Sequence, residues 1–556
     1  MALFPFRRSQ LRPAAYSCWL IVAASGCNIR VHTVVQEIVT ESELVAFDDD
    51  VPKAPVSLPL YKLTTTRSAL RLGQRECPAN ERTGENTCYE PDAWRPSCST
   101  PKPGQPPAPT ACGEPADTRK ALATARDFLS RDFLPKDASQ VVLERGRVLS
   151  HTRVRRDAQG AWHEVSGARP WMVMASARRT VGGYAVDGPG SRAMVAARNA
   201  PLAAIRTWKS AAAEGEVKAK HASEAEIRAE IAQQLTALRP RTPVHVQRIE
   251  LVYYDANAEL IQPVYRFVAE FSSDRSTIGP TEHVVGYVPY ADTLEPLPLL
   301  SDGDLKGPGA PAPTPPPPPP AGAVRIGRYV VKDDNKGWVR DANAFMDTLL
   351  APGAVIPFTS TQYEDAAPEQ FTTQSATFVN SVDIALIEAH GAPWQFATER
   401  NCCETVEFNA QNFPAYGAAA GGNLKHLVMH SCDVLPVKPD LSNWANPWKR
   451  IFKGLHSVLG YRSPMYINDG AGAAFARNLA SGAPVVPAWF CAVTSLNLYQ
   501  LGPSTHHRCA GEVPMGRPAA VTACGAGSET AQENATIEPD CLDAWWIDDA
   551  LVHEQE

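Results

Sequence analysis

Between residues 324 and 495 the apolar positions fall in short unbroken runs separated by amphipathic stretches. IGRYVV (326–331), DIALIEA (383–389), LKHLVMH (424–430) and HSVLGYRS (456–463) read as strands, the second and third of them buried. VIPFTST (355–361) is a further strand candidate. VRDANAFMDTLLA (339–351), WANPWKRIFKGL (444–455) and GAAFARNLASG (472–482) carry helical spacing, the last closed by Gly482. VVPAWFCAV (485–493) reads as the last strand. Strands alternating with helices predict an α/β sandwich with a mainly parallel sheet, whose working side chains belong at the carboxyl ends of the strands.

The pattern upstream is different. VSLPLYKL begins a strand-like stretch after residue 55. In Ser223-Glu224-Ala225-Glu226 the serine and the last glutamate can cap a first turn, and Ile227, Ile231, Leu235 and Leu238 then repeat at helical spacing. VHVQRIELVYY (244–254) and PVYRFVAEF (263–271) are rich in Val, Tyr and Phe, and their short connection predicts an antiparallel hairpin. VGGYAVDGPGSRAMVA (181–196) predicts another, turning at Asp187–Gly190.

Composition adds organisation to this pattern. GPGAPAPTPPPPPPAGA (307–323) would run as polyproline II for roughly 30 Å, a stiff spacer between the two halves. Hydrophobic residues at 44% and charged residues at 20% describe an ordinary folded chain, and a net charge of -7 excludes a basic nucleic-acid surface. At the N-terminus, Arg7, Arg8 and Arg12 precede the short apolar AAYSCWLIVAA, which has the form of a secretory signal. The signal ends in Ala24-Ser25-Gly26-Cys27, which resembles a bacterial lipobox, with Cys27 as the residue that would be lipidated. Expected divisions are thus a signal over 1–27, a tether over 28–55, an α+β region over 56–300 with a cysteine-rich insert at 77–112, a linker over 301–323, and an α/β domain over 324–556 with a cysteine-containing C-terminal extension. An envelope location outside the cytoplasm, lipid-anchored, follows as an expectation.

Thirteen cysteines in an exported chain are mostly disulfide material. Without Cys18 and Cys27 eleven remain, an odd number, so one thiol is left over. The four from Cys77 to Cys112 are expected to pair among themselves. Cys432 and Cys491 are the two candidates for the leftover thiol. Cys402 and Cys403 with His390, His426 and Cys432 offer a zinc alternative, but adjacent cysteines lack the usual ligand spacing. No cofactor or metal is expected, and the chain is expected as a monomer acting on protein or peptide.

Two runs end in chemistry. IALIEAHG places His390-Gly391 after one buried strand, and KHLVMHSC places Cys432 after another. A nearby imidazole is what a thiol needs to react at neutral pH, and the N–H groups of Gly391 and Cys432 can face an oxyanion. This arrangement resembles the caspase-like cysteine peptidases. The resemblance implies a caspase-like α/β/α sandwich over residues 324–495, His390 as base, Cys432 as nucleophile, and Gly391 with Cys432 as the oxyanion hole. Trp394, Glu388, His430 and Asp433 are candidate pocket residues, and Phe396 a candidate cleft wall. The caspase Gln-Ala-Cys-x-Gly signature is absent, since the chain reads His430-Ser431-Cys432-Asp433-Val434. AHGAPWQF, LVMHSCDVL, FKGLHSVLGY and GAPVVPAWF also resemble an uncharacterised bacterial family, domain of unknown function 6345. The helix-then-hairpin unit ending in VGYVPYA (285–291) resembles the PepSY or propeptide-like modules of secreted peptidases, which implies an inhibitory or chaperoning partner for the α/β half. A catalytically inactive, surface-attached binding module of the same fold is the competing expectation.

Overall fold

The computed structural model describes residues 44–64, 69–80, 85–99, 112–132, 139–143, 146–272, 282–292, 295–300, 322–333, 335–351, 353–399, 404–496 and 515–552. The signal segment with Cys18 and Cys27, most of the proline-rich linker, and Cys402, Cys403 and Cys509 lie outside the described residues.

Five parallel strands form the centre of the C-terminal half, in the order Phe358–Tyr363, Val324–Val330, Ile384–Glu388, His426–His430 and Ser457–Tyr461. Every residue of the last three is buried. This is what continuous apolar runs without alternation require, because both faces are covered. The helices Gly337–Leu350 and Ala471–Ala480 pack on each other through rings such as Phe345 and Phe475.

The sheet does not end at Ser457–Tyr461. Pro518–Cys524 adds to it antiparallel, Glu538–Val552 follows, and the next strand is Gly146–Arg156 from the N-terminal half. Trp162–Val181, Ala193–Ala197, Pro201–Arg206 and Asn86–Tyr89 continue it. The architecture is therefore mixed α/β, with a large, mainly β sheet shared by both halves and few helices. The C-terminal extension is a structural seam whose strands composition alone did not reveal.

A second group of N-terminal strands carries the predicted hairpin, Val244–Asp255 against Leu260–Phe271, with Glu282–Pro289 beside it. The helix Glu224–Leu238 buries Ile227, Ile231, Leu235 and Leu238, and Ser223 accepts the backbone N–H of Glu226. The short strand Tyr466–Ile467 of the C-terminal half pairs parallel with Glu282–Pro289. This pairing holds Glu282 against the α/β half.

Three expectations are corrected. Residues 485–494 form a helix, Val485–Thr494, rather than a strand. Every one of its residues is buried, so no polar face marks a helical period, and Pro487 sits in the first turn where its missing N–H costs little. Of the helix expected over 444–455 only Trp448–Ile451 is helical, with Pro447 before it and Gly454 in the left-handed region (φ 93°) after it. The hairpin expected at Asp187–Gly190 turns instead at Gly182-Gly183, both at positive φ, which folds Tyr184–Asp187 back on the end of Trp162–Val181.

Among the described residues three disulfides are formed, Cys77–Cys88, Cys98–Cys112 and Cys524–Cys541, the first two being the expected internal pairing of the insert. They point to an oxidising or extracellular environment. Among the described residues no helix is long and apolar enough to cross a membrane.

Candidate functional site

His390 and Cys432 follow neighbouring parallel strands at matched positions. Glu388 is the register partner of His430, and each chemical residue lies two further along its own strand direction. Gly391 touches the Cys432 backbone: a Cβ there would meet the Cys432 carbonyl oxygen at 2.3 Å and its nitrogen at 3.2 Å. Only glycine lets the two chain segments approach so closely. Gly391→Ala is expected to cost about 1–3 kcal/mol through this overlap. The check is a thermal melt, in which Ala392→Ser, on a half-buried neighbour, should leave the midpoint nearly unmoved.

The imidazole is held through Nε2. That nitrogen hydrogen-bonds to the Asp333 carboxylate and lies 3.4 Å from Glu282 Oε1, while Trp338 packs edge-on against the ring at 5.1 Å. Burial disfavours charge on the ring, but the bond to Asp333 and the charge of Glu282 outweigh it, and the His390 pKa is raised. Glu282 is itself gripped by Arg239 at 2.9 Å and by the Asn335 amide at 2.7 Å. Neither Asp333 nor Glu282 stood out in the sequence. Asp333 precedes the helix Gly337–Leu350 in the sequence Asp-Asp-Asn, and its other oxygen accepts the N–H of Asn335. That polar triplet was the one available signal.

Cys432 is a free thiol, 8% exposed, whose sulfur accepts the N–H of Met465 at 3.4 Å. Burial pushes it up to about 12, with Asp433 and then Glu282 adding to the rise. Cys491 is also a free thiol and is fully buried. Asp433 and Trp394 both sit in the left-handed region, at φ 50° and 63°. Burial and Asp440 raise the Asp433 carboxyl to about 6. Trp394 is half-buried beside the core, its backbone N–H donating to the Val434 carbonyl. Phe396, expected as a cleft wall, lies wholly in the core against Phe371 and Phe408.

Glu388 and His430 are fully buried and bonded to each other, Oε2 to Nδ1 at 2.6 Å. Asp341 and Asp469 flank the same ring, at 3.9 Å from Nδ1 and 3.8 Å from Nε2. Burial works against a charge on His430, yet Glu388, then Asp469 and Asp341, raise it to about 10. His426 stands at the opposite end of its strand and bonds Ser457 Oγ at 2.9 Å. Burial lowers its pKa well below the usual histidine range. His456 is a buried, hydrogen-bonded core residue paired with Glu529.

Residues 325–507 match a family profile described as a domain of unknown function (DUF6345). The match covers the parallel strands and both ends of the His390–Cys432 pair. No curated protein matches the chain. Among solved structures, an uncharacterized protein from Eubacterium rectale ATCC 33656 is similar over 45% of this chain and 90% of that one, at 7% identity and a TM-score of 0.24. A likeness of that size carries no argument.

Proposed function

We propose that the chain is an exported cysteine peptidase of caspase-like fold whose N-terminal region, propeptide-like, holds it latent. The supporting observation is the register that sets His390 and Cys432 level with each other at the carboxyl ends of adjacent parallel strands. Asp333 orients the ring through Nε2, which leaves Nδ1 for the thiol proton. In the reaction, Cys432 gives its proton to His390 and its sulfur bonds the peptide carbonyl carbon. The N–H groups of Gly391 and Cys432 face the oxygen that takes the charge. His390 then protonates the amine as the C–N bond breaks, and water hydrolyses the thioester. Peptide or protein is the substrate class, and Cys27 is the lipid attachment point.

One observation favours a second reading. A thiol that is buried and pushed up to about 12 is poorly suited to attack, as a binding module of the same fold would tolerate.

The test is labelling with a thiol-reactive peptide electrophile, mapped by mass spectrometry in wild type, Cys432→Ala and His390→Ala. Cys432 is expected to carry the label, with none in Cys432→Ala and a rate reduced about 10²-fold or more in His390→Ala. Labelling unchanged by both substitutions would overturn the dyad. No label on Cys432 in either wild type or Glu282→Gln would favour the binding module.

A further inference from the structure

The imidazole of His430 sits among more negative charge than its own positive charge balances. Asp341 and Glu388 each offer an oxygen that, with a ring nitrogen, forms a set lying within 4.8 Å of one another. Asp469 approaches from a third side, its Oδ1 3.8 Å from Nε2. The four come from different elements: two neighbouring strands, the helix Gly337–Leu350, and the turn after Tyr466–Ile467. All are buried or nearly so, with side-chain exposures of 0–7%.

Two atoms in this cluster are unsatisfied. His430 Nε2 and Glu388 Oε1 are buried and have no hydrogen-bond partner among the described residues. Such groups are costly to leave alone. Arg328, whose charge reaches Glu388, spends its guanidinium on the Ala342 carbonyl and Asn343 Oδ1 instead. Nε2 faces Asp469 at a separation too long for a hydrogen bond. It is a natural span for two ligands of one ion, since metal–nitrogen and metal–carboxylate bonds are each about 2.0–2.2 Å. Glu388 on Nδ1 fills the place of the carboxylate that fixes a metal-bound histidine. A cavity of about 160 Å³, lined in part by Asp341, Asn468, Asp469, Tyr254 and Tyr287, adjoins the cluster at its two aspartates.

We propose that His430, through Nε2, and Asp469 ligate one divalent transition-metal ion, of the zinc or manganese kind, with Glu388 orienting the ring. An imidazole among carboxylates selects such ions over magnesium or calcium. The ion would fasten the turn carrying Asp469 to the central strands.

The experiment uses the full chain, stripped with chelator and titrated calorimetrically with ZnCl2 and, separately, MnCl2. One ion per chain is expected, together with a raised thermal midpoint. Asp469→Asn and His430→Gln are each expected to weaken binding at least about tenfold. Asp469→Asn is the milder variant, and its circular dichroism spectrum should match wild type. Glu282→Gln tests the other carboxylate–histidine group, and His163→Gln, on an exposed histidine, tests a donor outside both groups. Neither should change affinity. Absence of saturable binding by wild type overturns the proposal. So does binding that survives both Asp469→Asn and His430→Gln, or that is lost in either control while Asp469→Asn retains it.

Discussion

Asp543→Ala is expected to lower the stability of the protein by about 3–5 kcal/mol, among the largest effects of any single substitution outside the apolar core. Asp543 is buried in the strand Glu538–Val552, where Oδ1 receives Arg153 Nε at 2.7 Å and lies 2.7 Å from His151 Nε2. Oδ2 receives Arg153 Nη2 at 2.8 Å. Removing the carboxylate strands a guanidinium and an imidazole in a site walled by Trp171 and Trp545, the latter 4.4 Å from the His151 ring. A thermal or urea melt checks this, with Glu538→Ala as the contrast. Glu538 pairs with Arg155 from a 56% exposed side chain, and its loss should cost at most about 1 kcal/mol. The same triad sets an acid limit. Burial alone would raise the Asp543 carboxyl, but Arg153 and then His151 hold it down at about 2. A depressed carboxylate stabilises above its unfolded pKa, so its contribution, about 2 kcal/mol, is present at neutral pH and fades as pH falls from 4 towards 2. Burial lowers the His151 pKa, so the unfolded chain gains a proton there first, and stability already declines as pH drops below the usual histidine range.

That triad also shows where sequence stops being informative. Ile384–Glu388, His426–His430 and Ser457–Tyr461 were legible because each is buried on both faces, whereas the edge strand Phe358–Tyr363 alternates and is polar. Residues 541–547 of the strand Glu538–Val552 are buried as well, and nothing in the sequence around Asp543 marks its partner. What neutralises Asp543 is Arg153, 390 residues earlier. Local pattern reports the face a residue shows, not the partner that a distant segment brings to it. The helix Val485–Thr494 was misread for a related reason, since burial on all sides erases periodicity.

The candidate site divides in the same way. His390, Gly391 and Cys432 stood out because a buried run announces its own end. Asp333 and Glu282 did not, because one sits in an ordinary polar stretch and the other on a strand of the opposite half. The carboxylates around His430 were hidden more thoroughly. Only Glu388 is its strand neighbour, and Asp341 and Asp469 arrive from helix and turn. The charge environment of both histidines is thus a product of tertiary structure.

Glu282→Gln is expected to awaken the thiol. A thiol pushed up to about 12 is ionised in roughly one molecule in 30,000 at pH 7.5, against about one in ten for an unperturbed cysteine. Glu282 contributes to that rise and also lies against His390 Nε2, so one charge both discourages the thiolate and raises the imidazole pKa. Glutamine keeps the shape, and its single carbonyl oxygen can accept from Arg239 or from Asn335 but not from both. Loss of the anion should lower the thiol pKa by about one unit, an alkylation rate about tenfold faster at pH 7.5. Asp433 raises the thiol more than Glu282 does, so Asp433→Asn should accelerate alkylation further. The two differ at the base, because only Glu282 contacts His390; Glu282→Gln alone should also lower the pKa of the imidazole. Iodoacetamide rates measured against pH, with Cys432→Ser in each background to subtract Cys491, separate the effects. A pH profile unmoved by Glu282→Gln would mean that Glu282 serves only to fasten the N-terminal strand, and that the proposed latency does not act through its charge.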